Sequence, residues 1–343
     1  MGTRGRRVSG KECLSKLIKW EDLCMEITSN CTQEVIQKAA KALMDGYLVA
    51  FPTETVYGLG VDANNEKAVN RLYKVKGRPT THPLIVHISS ISHLSKWAVE
   101  VPEYAFKLGE KFWPGPMTLI VKRGELAQDF ITGAQDNVGI RVPNQKVAHL
   151  LLKEFEQIGG NGVAAPSANK FGAVSPTSAD AVNQEIGSDL NSTDLILDDG
   201  KCLIGVESTI IDCTSEFPVV IRPGWLTLEQ ITECTGFTPR GKNLKNSLKA
   251  PGLLDSHYSP KAKVFLDLMA GPGEGFIALA EVSTPKGAVR LAAPTTIEEF
   301  AAEIYSALRD GDKKELNKIM VIQPPGGGLA LAIRDRLGKA AEK

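Results

Sequence analysis

Apolar and polar positions follow two periods along this chain, and the switches between them mark out its elements. After Thr32, the residues Val35, Ile36, Ala39, Ala40, Leu43 and Met44 recur at helical spacing, the stripe of a helix that lays one face on a core. Thr32 offers an N-cap hydroxyl and Gly46 a stop, and 47–51 then reads as a compact apolar strand. The same pattern predicts helices over 68–76, 102–112, 145–155, 178–186 and 228–234. It predicts strands over 84–88, 117–121, 138–142, 162–165, 195–197, 209–212 and 219–222. Helices interleaved with short strands predict an α/β sandwich. Several strands lie too close in sequence for helical crossovers, so a mixed sheet is expected.

Between 236 and 260 the periodicity gives way to Gly, Pro, Lys, Asn and Ser, the composition of a linker. Strands over 264–268, 288–292 and 319–322, with helices over 297–308 and 329–341, predict a second, smaller α/β domain beyond it. The expected organisation is an N-terminal extension 1–31, a main domain 32–236, a linker 237–261 and a C-terminal domain 262–343.

Composition narrows the function classes. Of 343 residues, 43% are hydrophobic and 23% charged, and Lys plus Arg equals Asp plus Glu at 40 each. A chain with no net charge lacks the basic surplus of most nucleic-acid binders, although a local patch stays open. No apolar run reaches the roughly 18 residues of a membrane span, and no apolar region follows Arg4, Arg6, Arg7 and Lys11. The cysteines are scattered without any Cys-x-x-Cys pair, which argues against a structural zinc site and for reduced thiols in a cytoplasmic protein. The basic N-terminal residues leave organelle targeting open.

Five polar segments sit at predicted strand ends, where ligands of open α/β sheets gather. Phe51-Pro52-Thr53-Glu54-Thr55-Val56-Tyr57-Gly58-Leu59-Gly60 carries hydroxyls among glycines, and reads equally as a plain turn. Lys76-Gly77-Arg78-Pro79 and His82-Pro83-Leu84 pair a point charge with a planar fork, a combination suited to polyphosphate. Phe112-Trp113-Pro114-Gly115-Pro116-Met117-Thr118 is a rigid turn into a strand. Ala165-Pro166-Ser167-Ala168-Asn169, with Ser175-Pro176-Thr177, lacks a hydrolase elbow and suits ligand orientation. The helix after Ser178 offers its N-terminus to phosphate. Gly205-Val206-Glu207-Ser208-Thr209 is answered by Ile221-Arg222-Pro223-Gly224. Arg141 and Arg222 thus end apolar strands, and each needs an anion there, either a ligand or one of Glu54, Glu207 and Asp212. Residues 236–243 approach a Walker A pattern, but Asn243 stands where Ser or Thr should ligate magnesium and a helix precedes it. Gly236 is a helix C-cap instead.

Together FPTETVYGLG, KGRP, HPLIVHI, FWPGPMTLIV, VGIRVPN, APSAN, SPT, GVESTII, IRPG and HYSPK resemble the threonylcarbamoyl-AMP synthase family in its long form, from about Gln33 onward. The resemblance implies a twisted, mixed-sheet YrdC-like α/β domain and a smaller Rossmann-like one. It implies that ATP, L-threonine and bicarbonate or CO2 form L-threonylcarbamoyl-AMP with release of pyrophosphate. A tRNA threonylcarbamoyl transferase would receive the product, and Mg2+ would accompany ATP. Lys76, Arg78, Ser167 and Asn169 would line the nucleotide pocket and carry catalysis. Thr118, Ser175, Arg222 and Tyr258 would also face ATP, and Thr53, His82, Arg141 and Ser208 would face threonine. The linker, with His257-Tyr258-Ser259-Pro260, is expected to cover the pocket. A carbamoyl transferase of hydrogenase maturation is a weaker match, since its acylphosphatase and cysteine-rich modules have no counterpart here. An RNA-binding or ribosome-maturation factor of the same fold, with weak tRNA contact, is the alternative reading.

Overall fold

The computed structural model describes residues 31–241, 252 and 258–341. The expected N-terminal extension and most of the expected linker, including His257, lie outside the described residues.

The chain opens with α1 (Gln33–Met44), and Thr32 caps it by accepting from the Val35 amide at 3.4 Å. There follow β1 (Val49–Phe51), β2 (Gly58–Asp62), α2 (Glu66–Lys76), β3 (Ile85–His87), α3 (Leu94–Trp97), α4 (Glu103–Phe112) and β4 (Met117–Lys122). Next come α5 (Asp129–Thr132), β5 (Asn137–Arg141), α6 (Lys146–Gln157), β6 (Val163–Ala164), α7 (Ala179–Ile186) and β7 (Leu195–Ile196). β8 (Thr209–Asp212), β9 (Val219–Arg222), α8 (Leu228–Thr235) and β10 (Arg240–Gly241) complete this part. Its strands form one ten-stranded sheet in the order β10-β9-β8-β4-β5-β3-β6-β2-β1-β7. The sheet is mixed, as the short connections require: β4 pairs antiparallel with β5 and parallel with β8.

Side-chain alternation along β1 shows how the layers stack. Val49 and Phe51 face the cluster made with α1 and α6, whereas Leu48 and Ala50 join the core beneath α2 and α4. Helices α1 and α6 cover only part of their face of the sheet. Beyond them the same face carries Ile85, Ile120 and Ile210, a separate small apolar cluster. The join is marked by Phe51, whose ring meets His87 edge-on at 6.1 Å. The cavity described below lies in this uncovered half.

The second sheet holds β11 (Lys263–Leu266), β12 (Gly275–Ile277), β13 (Val289–Ala292) and β14 (Lys318–Val321), with α9 (Ile297–Lys313) and α10 (Leu329–Ala341). Its order is β11-β14-β12-β13, and every pairing is parallel. The two parts share a core. Val56, Val174, Ile204 and Val206 of the first belong to one cluster with Phe300, Ile304, Tyr305 and Ile333 of the second. The approach is close enough to need a glycine. A Cβ on Gly205 would lie 2.3 Å from the Ala301 carbonyl oxygen, and the φ of +75° there also disfavours a side chain. No helix among the described residues is long and apolar enough to cross a membrane.

Candidate active site

Beyond β1 the chain turns sharply, and the Thr53 hydroxyl builds the turn. It accepts from the amides of Thr55 and Val56, each at 3.2 Å, and donates to the Val56 carbonyl at 2.6 Å. This turn buries Glu54, which meets Arg141 Nη2 at the end of β5 at 2.7 Å and accepts from the Asn144 amide at 3.0 Å. Of the two anion sources expected for Arg141, the internal carboxylate is therefore present. The pair leaves Arg141 Nε buried without a hydrogen-bond partner among the described residues.

Arg78 follows the C-terminus of α2. Its Nη2 donates to the Pro83 carbonyl at 2.9 Å, its Cζ lies 5.6 Å from the centroid of the Phe171 ring, and burial lowers its pKa to about 10. Lys76 turns the other way. Its Nζ donates to the carbonyl of Ser167 at 2.5 Å and to that of Asn169. Burial, followed by the charge of Arg78, pulls its pKa well below the ordinary lysine value. Lys76 thus fastens the loop that presents Ser167. That loop is also stitched to the start of β2, the Leu59 amide donating to Pro166 and the Ala168 amide to Tyr57. The Asn169 amide group donates to the carbonyls of Lys170 and Ala173, while its Oδ1 is buried and finds no partner among the described residues.

On β9, Arg222 is buried and donates through Nε and Nη2 to the Ser208 carbonyl at 3.1 and 2.9 Å. Nη2 also reaches the Ser208 hydroxyl at 3.1 Å, and that hydroxyl shares a 2.8 Å hydrogen bond with Thr118 Oγ1 on β4. Ser175 donates to Glu207 Oε1 at 2.7 Å.

One cavity gathers much of this. Thr53, Val56, Gly58, Arg78, Ile85, His87, Arg141, Ala165, Pro166, Ser167, Glu207, Ser208, Arg222, Gly252 and Tyr258 line it. Three guanidinium groups and several hydroxyls over an apolar floor suit an anionic ligand with a small apolar part. Among the residues expected from sequence, Lys76, Thr118 and Ser175 stand behind this lining and hold Ser167, Ser208 and Glu207, which belong to it. Asn169 braces the loop after Ser167 through Lys170 and Ala173. His82 is not in the lining. It is half-buried with its ring against Phe171 at 5.3 Å, and its carbonyl accepts from Tyr73 at 2.9 Å. The histidine in the cavity is His87, two residues after Ile85 on β3 and so on the same face. Strand alternation within HPLIVHI is the signal that could have found it. Ser178 caps α7, its side chain accepting from the Ala181 amide. Gly236 closes α8 in the left-handed conformation, as a C-cap does.

His87 is buried beside Arg141, and burial first, then that charge, lowers its pKa from 6.5 to about 3. The imidazole is therefore neutral at working pH. Below pH 6.5 the unfolded chain takes up a proton that the folded chain refuses, so stability should fall as pH drops toward about 3. A His87→Asn variant should lose stability less steeply over that window. Equal slopes in melting temperature against pH would show that His87 is not the group responsible.

Among the described residues, no three His, Cys, Asp or Glu side chains gather as metal ligands. The cavity's carboxylate, Glu207, is already engaged by Ser175, Tyr305 and Arg336.

A family model described as Telomere recombination, grouping Sua5, YciO and YrdC, matches residues 41–224. Another, the threonylcarbamoyl-AMP synthase C-terminal domain, matches 226–342. The chain is 39% identical over 326 residues to the threonylcarbamoyl-AMP synthase of Pyrococcus abyssi, covering 89% of this chain and 94% of that protein. This chain belongs to the threonylcarbamoyl-AMP synthase family. A Bacillus subtilis threonylcarbamoyl-AMP synthase is 36% identical over 344 residues, which is 93% of this chain and 96% of that one. The crystal structure of Pyrococcus abyssi Sua5 complexed with L-threonine matches with a TM-score of 0.82, covering 90% of this chain and 95% of the other. Similarity to these threonylcarbamoyl-AMP synthases thus spans both sheets and the cavity between β1, β3, β5 and β9.

Proposed function

We propose that this protein makes L-threonylcarbamoyl-AMP from L-threonine, bicarbonate or CO2 and ATP, releasing pyrophosphate, and so acts as a nucleotidyltransferase. The observation that carries the reading is one cavity lined by Arg78, Arg141 and Arg222, in a chain similar along its length to synthases of that name. The threonine amine adds to CO2, which bicarbonate supplies by losing hydroxide, and gives up a proton to become a carbamate. A carbamate oxygen then attacks the α-phosphorus of ATP, the bond to the bridging oxygen breaks, and pyrophosphate leaves. Two anions must meet, so fixed positive charge lowers the barrier. Arg222 and Arg78 supply it beside the phosphates. Arg141, steadied by Glu54, turns its remaining donors to the threonine carboxylate. His87, neutral, and the apolar Ile85 and Val56 accept the uncharged part of the amino acid.

Mg2+ enters with ATP as part of the substrate. Phosphate oxygens and water would be its ligands, since Glu54 and Glu207 are engaged by arginines, and it would neutralise phosphate charge. Carbamates lose CO2 in water, which favours an enclosed site, and Gly252 and Tyr258 of the linker lie in its wall. The product's consumer is a transferase that moves the threonylcarbamoyl group to tRNA, in the cytoplasm.

A pyrophosphate-release assay tests the reading. Release that requires both threonine and bicarbonate is expected. Release from ATP alone, or none with all three substrates present, would overturn it.

A further inference from the structure

Arg336 is the largest fully buried charged side chain among the described residues. It stands on the apolar stripe of α10, in register with Leu329, Ile333, Leu337 and Ala340, and only 1% of it is exposed. A well-packed apolar residue there would hold the two sheets together at less cost in desolvation. What Arg336 adds is direction. Its Nε donates to Glu207 Oε2 at 2.9 Å, and its Nη2 reaches the Glu207 carbonyl at 3.3 Å. Tyr305 of α9 donates to the same Oε2 at 2.8 Å. The Arg336 guanidinium also lies 5.7 Å from the centroid of the Tyr258 ring, which stacks on Tyr305 at 5.7 Å. One turn further along α10, Lys339 donates to the Gly252 carbonyl at 2.8 Å. Glu207, Tyr258 and Gly252, with Arg222, make up one wall of the cavity.

We propose that Arg336 is a positioning residue for this wall, setting Glu207 and Tyr258, and through them Arg222, where the nucleotide binds. The proposal rests on the reading of the cavity as an ATP site. The opposite wall is built without α10: Thr53 comes from the turn after β1, His87 from β3 and Arg141 from β5. Although burial works against it, the charges of Arg336 and then Arg222 hold the Glu207 carboxyl at about 2. Glu207 is thus an acceptor only, and Ser175, Tyr305 and Arg336 must all point their protons at it. Fixing these donors fixes the carboxylate that neighbours Arg222.

The consequence is a split between substrates. In the full chain, Arg336→Gln should raise KM for ATP by about tenfold and leave KM for threonine within about twofold. Arg336→Lys should fall between this variant and the wild type, because a point charge replaces one prong of the fork. Tyr305→Phe keeps both charges and the ring, so it guards against a variant that fails to fold. It should raise KM for ATP by about threefold. General loosening of the structure would instead lower kcat, or move both KM values together, and either pattern would overturn the proposal. Calorimetric binding of ATP to the same proteins separates the two readings. A wild type that binds ATP without releasing pyrophosphate overturns the activity. Unchanged ATP affinity in Arg336→Gln and Tyr305→Phe overturns the positioning role.

Discussion

Arg222→Ala is expected to lower turnover by about 10²-fold or more, the scale seen when a preorganised group that meets developing charge is removed. The guanidinium is buried, and burial itself depresses its pKa, so the fold maintains a charge there against solvation. It is held by the carbonyl and hydroxyl of Ser208, which orient it toward the cavity. On the proposed reaction, loss of the side chain removes charge from the point where carbamate and phosphate meet. The measurement is steady-state pyrophosphate release by a variant whose melting curve matches the wild type. Near-normal turnover in such a protein would remove Arg222 from the reacting centre.

Glu54→Ala should act on stability more than on rate, lowering it by about 3–5 kcal/mol. Both members of the pair with Arg141 are almost fully removed from solvent, with side-chain exposures of 0% and 6%. Truncating the acid strands a guanidinium in the interior and also leaves the Asn144 amide without its acceptor at 3.0 Å. Chemical denaturation should show the midpoint shifted with little change in slope. An unchanged midpoint would mean that Arg141 finds another counter-charge when Glu54 is gone.

Much of the fold was legible because local signals and burial agree. Thr32, the stripe through Leu43, and Gly236 each mark a helix end or face that is found where expected. Strands β8 and β9 keep their expected limits for the same reason, being short apolar runs between turn residues. Strand β2 was hidden by Gly58 and Gly60, which read as a turn. Gly60 is required by packing instead, since a Cβ there would lie 2.8 Å from both the Phe51 ring and Val163. Strand β12 is too short to stand out beside Gly271, Pro272 and Gly273. The strand order places β7 beside β1 and β8 beside β4, pairings that no local pattern encodes.

The site was legible residue by residue but not in its division of labour. Motif spacing marks Lys76 and Arg78 alike, yet one side chain fastens a loop and the other lines the cavity. The difference arises because Gly77 takes the left-handed conformation and turns the chain between them. His82 and His87 were equally visible, and the pleat of β3 is what brings His87 into the lining while His82 packs on Phe171, the ring that Arg78 also covers. Arg336 lay in plain view as the single cation within an apolar stripe, a signal of burial without a stated purpose.

The contact of Gly205 with α9 bears on how such chains can be inherited. Because backbone meets backbone there, neither part can drift in shape without the other. An exchange of C-terminal halves between distant relatives would bring together surfaces that had not changed in step. Such hybrids would start with a misfit at Gly205 and an unmatched acid at Glu207. Where both halves are present they should therefore change in step, even though each has a sheet of its own.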